Sequence, residues 1–206
     1  MNPYPELPDR AFTKADPTPD LAFYAQPRLV HHIDEGAVTA VTDRYRTVLP
    51  PGGVILDLMS SWVSHLPDDV GYSAVIGQGM NAQELAANPR LDRWFVQDLN
   101  NEPTLPLETG TVDAAIQCAG VQYLQRPAEV FADLHRVLRP GSPAIVTFSN
   151  RCFPTKAVAI WQALPPREQL RLVALYLTRA GFGAVEAETL RPGRDSDPLW
   201  VVQARR

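Results

Sequence analysis

The feature that most constrains the fold of this chain is a series of short apolar runs, each separated from the next by a helical or turn-rich stretch. Continuous apolar runs of this length are typical of strands that are buried on both faces. Strands that alternate with helices predict a parallel sheet covered by helices on both sides, with right-handed crossovers. The runs are 54–58, 74–76, 94–97, 112–118 and 144–148.

The end of the chain departs from this alternation. A helix is predicted over 167–180, and two further apolar runs, 184–190 and 199–203, follow it with a short turn between them. Strands that are joined so closely pair antiparallel. The sequence therefore predicts an α/β fold with a doubly wound, mostly parallel sheet of seven strands and an antiparallel C-terminal strand.

Proline distinguishes an N-terminal arm from the rest of the chain. Five prolines in 1–26 fix backbone angles and remove hydrogen-bond donors, so we expect a loose arm followed by a single domain over 27–206. The aromatic residues of the arm gain most by lying across a groove of that domain, which makes the arm a candidate lid. From Pro27, an apolar spacing close to 3.6 predicts an amphipathic helix that ends at Pro50.

Local signals predict three more helices. Asn81, with Glu84 three residues later, has the pattern of a capping box, in which side chains and backbone amides bond reciprocally. Another helix is expected to begin at Pro127 and to end before Gly141. A helix that starts near Trp62 would direct its N-terminal dipole towards an anionic group.

Composition limits the partners of the protein. The chain has 19 basic and 23 acidic residues and a net charge of −4, which gives no electrostatic surplus for binding a nucleic acid backbone. Its two cysteines are too few for a disulfide scaffold and lack the spacing of a zinc site. We recognise neither a signal peptide nor an apolar run of about 18 residues. We therefore expect a cytoplasmic protein without nucleic-acid, membrane or metal partners.

Part of the sequence resembles a known family. Residues 127–141 and 144–148 are similar to the helix and strand late in class I S-adenosylmethionine-dependent methyltransferases of the type 11 kind, and 98–113 resembles the middle section of that family. The resemblance implies a Rossmann-like methyltransferase fold with S-adenosylmethionine as the cofactor. In such open sheets, ligands bind beyond the carboxyl ends of the strands, near the point where strand order reverses.

The resemblance assigns cofactor contacts to residues at these strand ends. It implies that Met80, Asp98 and Leu99 surround adenine and that Gly79 and Asn81 lie near ribose. The contacts implied at the amino-acid end and under the reacting sulfur are Asp57, Met59, Ser60, Ser61, Cys118 and Ala119.

Two features depart from the family pattern. Met59, Ser61 and Val63 stand where the family has a glycine-rich turn, and glycine is needed where φ is positive or where a Cβ would clash. Gly79 replaces an acid that accepts hydrogen bonds from both ribose hydroxyls, a charged contact that contributes about 1.5–3 kcal/mol. Either the turn after the first strand has an ordinary backbone shape, or the ligand lies in a different position from the cofactor of the family.

The preferred hypothesis is a methyltransferase that acts on a small-molecule acceptor by in-line transfer. Two alternatives stay open: a catalytically inactive binding or scaffolding protein of the same fold, and a protein that binds another nucleotide-like ligand. For the acceptor side, the candidates are Tyr24, Arg28 and His32 before the first strand, Tyr123 and Asn150 opposite them, and His65 as a proton acceptor.

Overall fold

A computed structural model describes residues 3–206, and a sheet of seven strands lies at its centre. The strands are β1 (Val54–Ser60), β2 (Ala74–Gly79), β3 (Arg93–Val96), β4 (Ala114–Cys118), β5 (Pro143–Phe148), β6 (Gly183–Arg191) and β7 (Leu199–Arg205). Their order is β3-β2-β1-β4-β5-β7-β6. The first five strands pair in parallel, and β7 pairs antiparallel with both β5 and β6. The predicted doubly wound fold with an antiparallel C-terminal strand is confirmed.

Helices cover both faces of this sheet. They are α1 (Asp20–Phe23), α2 (Glu35–Val48), α3 (Ala82–Ala87), α4 (Pro127–Val137), α5 (Ala159–Ala163) and α6 (Pro166–Arg179). Side chains of successive strand residues point to opposite faces, so the sheet contributes to two apolar clusters. One cluster includes α2, and the other includes α4 and α6. None of the helices in residues 3–206 is long and apolar enough to cross a membrane.

The first long helix starts later than the sequence predicts. The apolar spacing from Pro27 predicts helix there, but α2 begins at Glu35, after Asp34 accepts a hydrogen bond from the backbone N–H of Ala37 at 2.8 Å. This side-chain cap satisfies a donor that would otherwise have no partner, which fixes the helix start at this point. The segment 27–34 before the cap is irregular.

No helix follows the first strand, so the helix predicted near Trp62 is wrong. Residues 61–73 connect β1 to β2 without a helix or strand. His65 has a φ of 53°, outside the helical range, and Pro67 lacks the N–H that a continuing helix would need. The site at the end of β1 therefore has no helix dipole from this connection.

The predicted capping box is only half formed. The Oδ1 atom of Asn81 caps α3 by accepting hydrogen bonds from the backbone N–H groups of Gln83 and Glu84, at 2.9 and 3.1 Å. The Glu84 carboxylate does not bond back to the cap. It accepts hydrogen bonds from the backbone N–H of Arg28 and from the hydroxyl of Ser61, both at 2.6 Å.

Most of the arm packs against the domain. Tyr4 is 1% exposed, and its ring contacts those of Phe12 and Tyr176. Farther along, Lys14 forms an antiparallel bridge with Val158. The expected looseness is not found over this part of the arm, because Tyr4 is buried, Phe12 is half-buried and the backbone of 11–16 forms hydrogen bonds with residues 155–160. Met1 and Asn2 lie outside the described residues, and the role of the arm as a lid stays a prediction.

A cluster of buried charges anchors the arm beside α1. Lys14 and Lys156 have side-chain exposures of 3% and 0%, and both form ion pairs with Asp20. Lys156 also lies 3.2 Å from the carboxylate of Asp16. The side-chain amide of Asn100 donates a hydrogen bond to Asp20 at 2.9 Å. These contacts join α1 to the loop that follows β3.

The carboxyl ends of β1 and β2 are packed so closely that residue 79 must be glycine. The pairing of these strands shifts register after Leu58, which places Ser60 opposite Gly79. A Cβ atom on residue 79 would lie 2.3 Å from the carbonyl oxygen of Ser60, a backbone atom that cannot rotate away. The path of β1 thus excludes the acid that the family has at this position.

We expect Gly79→Ala to lower the free energy of unfolding by about 2 kcal/mol or more, because the new methyl group forces two paired strands apart. Denaturant unfolding measures this change. Gly71→Ala is the matched control, since a Cβ there meets no atom within 4 Å, and it should change stability by less than about 0.5 kcal/mol. Equal stabilities of the two variants would contradict the close strand approach.

Candidate functional site

A cavity of about 320 Å³ lies at the carboxyl ends of β1, β2 and β4. The strand order reverses between β1 and β4, which is where open α/β sheets bind their ligands. The volume of the cavity falls in the range of small-molecule sites. Residues between 20 and 33 line the cavity from the N-terminal side, and we call 20–33 the covering segment.

The cavity brings together most of the residues that the sequence singled out. Its lining includes, among the expected cofactor contacts, Asp57, Met59, Ser60, Ser61, Gly79, Met80, Asp98, Leu99, Cys118 and Ala119, and, among the expected acceptor contacts, Tyr24, Arg28, His32, His65 and Tyr123. Sequence positions far apart meet here because parallel strands end at the same edge of the sheet.

Two of the expected contacts do not line the cavity. The side-chain amide of Asn81 donates hydrogen bonds to the carbonyls of Tyr24 and Ala25, at 2.9 and 3.0 Å, while its oxygen caps α3. Asn150 is exposed, and its side-chain oxygen accepts a hydrogen bond from Ser149. Asn81 therefore fastens the covering segment, and the structure brings neither residue to the positions expected for ribose and acceptor contacts.

Asp98 gives one end of the cavity a buried carboxylate. It is 7% exposed and accepts hydrogen bonds from the backbone N–H of Asn100 at 3.0 Å and from the side chain of Asn101 at 2.6 Å. Each carboxylate oxygen can accept a second hydrogen bond. Met80 and Leu99 add apolar surface nearby on the same lining. An apolar surface beside a hydrogen-bond acceptor suits a flat ring with an amino group.

Asp57 is a second buried carboxyl group on the cavity lining, and it lies within β1, three residues before the strand ends at Ser60. It is 3% exposed and accepts a hydrogen bond from the hydroxyl of Ser60 at 2.6 Å. Burial raises the pKa of Asp57 to about 7, and hydrogen bonds from Ser60 and Ser64 oppose that rise. A carboxyl group with a pKa near neutrality ionises when a cation binds beside it.

Met59 has a backbone conformation that favours glycine. Its φ is 56°, and Ala119 at the end of β4 has a φ of 53°. The Met59 side chain lies beside Gly120, where an added Cβ would come within 2.9 Å of it, and the amide nitrogen of Gln117 is 2.8 Å from its sulfur. The turn therefore does not have an ordinary backbone shape, since it keeps a positive φ without the glycine.

Aromatic rings surround a cation on the acceptor side. The guanidinium carbon of Arg28 lies 4.6 Å from the ring centre of Phe23, 5.2 Å from that of Phe153 and 5.7 Å from that of Tyr24. Its side-chain hydrogen bonds in residues 3–206 go to the backbone carbonyls of Phe23 and Gln26. The guanidinium thus brings positive charge to an aromatic part of the cavity.

The two histidines expected to contact substrate are shifted towards their neutral forms. Burial lowers the pKa of His65 to about 4, and His31 and His32 lower it further. Desolvation also lowers the pKa of His32. General bases work best when the pKa is near the working pH, so His65 is a weak proton acceptor at pH 7.

Both thiols at the cavity are held in the protonated form. Burial raises the pKa of Cys118 to about 11 and also raises that of Cys152. Because the thiolate is the reactive form, neither side chain is set up as a nucleophile. Residues 3–206 contain no group of three or more His, Cys, Asp or Glu side chains that could hold a metal ion.

Sequence reasoning missed Glu84 as a site residue and assigned it only to the capping box. In the structure Glu84 is 8% exposed and lines the cavity. The signal was its place within the first turn after β2, which brings the side chain close to a strand end. The sequence pattern does not show whether the Glu84 carboxylate bonds to the cap residue Asn81 or to Ser61 in the turn after β1.

Comparison with known proteins identifies the fold. Residues 71–146 match a family model described as a methyltransferase domain. An S-adenosylmethionine-dependent methyltransferase from Mesorhizobium loti is 21% identical, with a TM-score of 0.57 over 81% of this chain and 98% of that one. The chain has a class I methyltransferase fold.

Other methyltransferase-like structures extend the likeness at low identity. Geranyl diphosphate C-methyltransferase from Streptomyces coelicolor A3(2), solved with Mg²⁺, geranyl diphosphate and S-adenosyl-L-homocysteine, is 13% identical with a TM-score of 0.57, over 82% of this chain and 77% of that one. The [4+2]-cyclase SpnF is 16% identical with a TM-score of 0.63, over 91% and 90%. No curated protein matches the sequence. The family match indicates a methyltransferase domain over residues 71–146, and the solved structures share its fold.

The residues present fit S-adenosylmethionine as a cofactor. Asp98, Met80 and Leu99 offer an acceptor and apolar surface for adenine at one end of the cavity. Asp57 is a carboxyl group that ionises beside positive charge, as the sulfonium and ammonium groups would supply. Met59 makes the site narrower beside Gly120 than a glycine would.

Replacing Asp57 should change how stability depends on pH. Between its unfolded pKa of 3.8 and its folded pKa of about 7, the folded protein holds a proton that the unfolded chain has lost, so wild-type stability falls as pH rises. Asp57→Asn removes this fall in stability, because an asparagine side chain does not titrate. Relative to wild type, the variant should gain about 2 kcal/mol between pH 5 and pH 8. Urea unfolding at both pH values measures this, and a pH-independent difference would argue against the raised pKa.

Proposed function

We propose that the protein transfers a methyl group from S-adenosylmethionine to a small-molecule acceptor in the cavity at the ends of β1, β2 and β4. The observation that carries this proposal is the convergence on that cavity of Asp57 from within β1, Met80 from just after β2 and Asp98 from just after β3. Each supplies the chemistry that one part of the cofactor requires: a carboxylate for positive charge, a thioether for a ring face and a carboxylate for an amino group.

The reaction requires alignment and exclusion of water more than covalent assistance. When bound, the cofactor supplies an electrophilic methyl group that an acceptor atom displaces in line. Asp98 and Met80 would fix adenine, while Asp57 would ionise beside the positively charged end. The covering segment would exclude water, which strengthens the electrostatic contacts inside the site. Cys118 and Ala119 would form the floor under the reacting sulfur.

A small acceptor is supported by the lining on the N-terminal side. Tyr24, Tyr123 and Phe153 offer ring surfaces, and Arg28 offers guanidinium donors that suit an anionic group. An apolar or aromatic acceptor with a carboxylate or similar group fits this chemistry. The net charge of −4 disfavours a nucleic acid acceptor. We propose that the protein works in the cytoplasm, without a nucleic-acid or membrane partner.

A second candidate function is binding without methyl transfer. The Met59 side chain beside Gly120 favours it, because it occupies space that a glycine turn would leave to the cofactor. SpnF, a cyclase, has the same fold, so this architecture also carries other chemistry. The two candidates differ in whether labelled methyl reaches an acceptor once S-adenosylmethionine is bound.

Calorimetric titration with S-adenosylmethionine and S-adenosylhomocysteine tests the proposal. We expect micromolar binding by the wild type and at least about tenfold weaker binding by Asp98→Asn, which loses an acceptor for the adenine amino group. Asn101→Ala is the control: it removes the contact that braces Asp98 but does not alter the cavity lining, so affinity should change by less than about threefold.

The outcomes separate the candidates. Absence of wild-type binding at millimolar ligand would contradict a cofactor site, and equal affinities of wild type and Asp98→Asn would contradict the placement of adenine. Incubation with methyl-labelled cofactor and a low-molecular-mass metabolite extract then tests transfer. Labelled product supports the enzyme, whereas tight binding without label favours the second candidate.

A further inference from the structure

We infer that Glu84, in the first turn of α3, supplies the ribose-binding carboxylate that the end of β2 cannot carry. This inference rests on the proposed function, because it concerns how the cavity would hold adenosine. Three observations support it: the exclusion of a side chain at residue 79, the position of Glu84, and the neutral hydrogen-bond donors around it.

Residue 79 leaves the usual position for a ribose acid without a side chain. A Cβ atom on residue 79 would lie 2.3 Å from the carbonyl oxygen of Ser60 and 3.0 Å from the side chain of Leu85. A carboxylate that binds the ribose hydroxyls would therefore come from another element near the ends of β1 and β2. The element that follows β2 directly is α3.

Glu84 is the acidic side chain that α3 contributes to the cavity. The other carboxylates of the described lining already have defined positions: Asp20 is paired with two lysines, Asp57 lies within β1 and Asp98 follows β3. Glu84 is buried between the Ser61 turn and the covering segment. Its helix follows β2, which lies in the sheet between β1, the strand that carries Asp57, and β3, the strand that precedes Asp98.

The hydrogen bonds of Glu84 leave acceptor capacity for a diol. One carboxylate oxygen accepts from the backbone N–H of Arg28, and the other accepts from the hydroxyl of Ser61. Both donors are neutral, and each oxygen retains a second acceptor site. Two vicinal hydroxyl groups can donate to the two oxygens of one carboxylate, and hydrogen bonds to a charged acceptor are the stronger kind.

The same contacts connect ribose binding to the covering segment. Arg28 belongs to that segment, and its backbone N–H bonds directly to the carboxylate at 2.6 Å. Ser61 belongs to the turn after β1. A ligand that orders the Glu84 carboxylate therefore also stabilises the turn and the segment on either side of it.

Titration with adenosine and 2′,3′-dideoxyadenosine tests this role by removing only the hydroxyl groups. We expect the wild type to prefer adenosine by at least about tenfold and Glu84→Gln to lower that preference to less than about threefold. Glu84→Asp, which keeps the charge, should retain a larger part of the preference. Gln83→Ala, a change on the exposed neighbouring residue, should retain all of it.

Each alternative result contradicts a defined part of the account. If Glu84→Gln folds and keeps the wild-type preference, Glu84 has a structural role only. If Glu84→Gln does not fold, two other titrations test the role. Glu84→Asp should prefer adenosine to 2′,3′-dideoxyadenosine less strongly than the wild type does, and the wild type should bind 3′-deoxyadenosine more weakly than adenosine. Equal wild-type affinity for all these nucleosides would overturn the inference. If the wild type binds S-adenosylhomocysteine tightly but does not discriminate the hydroxyls, the proposed function survives and the Glu84 role fails. Failure to bind S-adenosylhomocysteine or any nucleoside would overturn both.

Discussion

The approach of β1 to β2 at their carboxyl ends is the constraint on which the rest of the site depends. Because the Ser60 carbonyl lies over residue 79, that position must be glycine, and an acid cannot extend from the end of β2. Met59, at the register shift between Leu58 and Ser60, has a positive φ, and the connection that follows β1 contains no helix. In our proposal, Asp57 and Glu84 supply contacts that the family resembled by the sequence makes through a glycine turn and a strand-end acid.

Polar contacts from site residues hold the covering segment in place. Asn81 bonds to the carbonyls of Tyr24 and Ala25, and Glu84 bonds to the N–H of Arg28. Two buried lysines fix α1 through Asp20. Breaking one side of such a buried ion pair is costly, so the position of the segment is set strongly. A ligand that contacts Glu84 would therefore contact a side chain that also holds this segment.

The sequence predicts the strands and their directions well, because apolar runs mark the strands, alternating helices favour parallel pairing and a short turn forces the last two strands to pair antiparallel. It also predicts the cap at Asn81, which depends on local chemistry alone. It places the start of α2 too early, because the apolar pattern continues through 29–33 although Asp34 ends the irregular segment. It cannot show where Asn81 and Glu84 direct their remaining polar atoms, since their partners at 24–28 are more than fifty residues away.

The structure of the complex with S-adenosylhomocysteine tests the central claim most directly. We expect adenine between Met80 and Leu99 with its amino group bonded to Asp98, and the homocysteine end towards Asp57. A ligand bound outside this cavity would contradict the proposed cofactor site. So would a ligand that avoids the ends of β1 and β4 while the Met59 side chain stays beside Gly120.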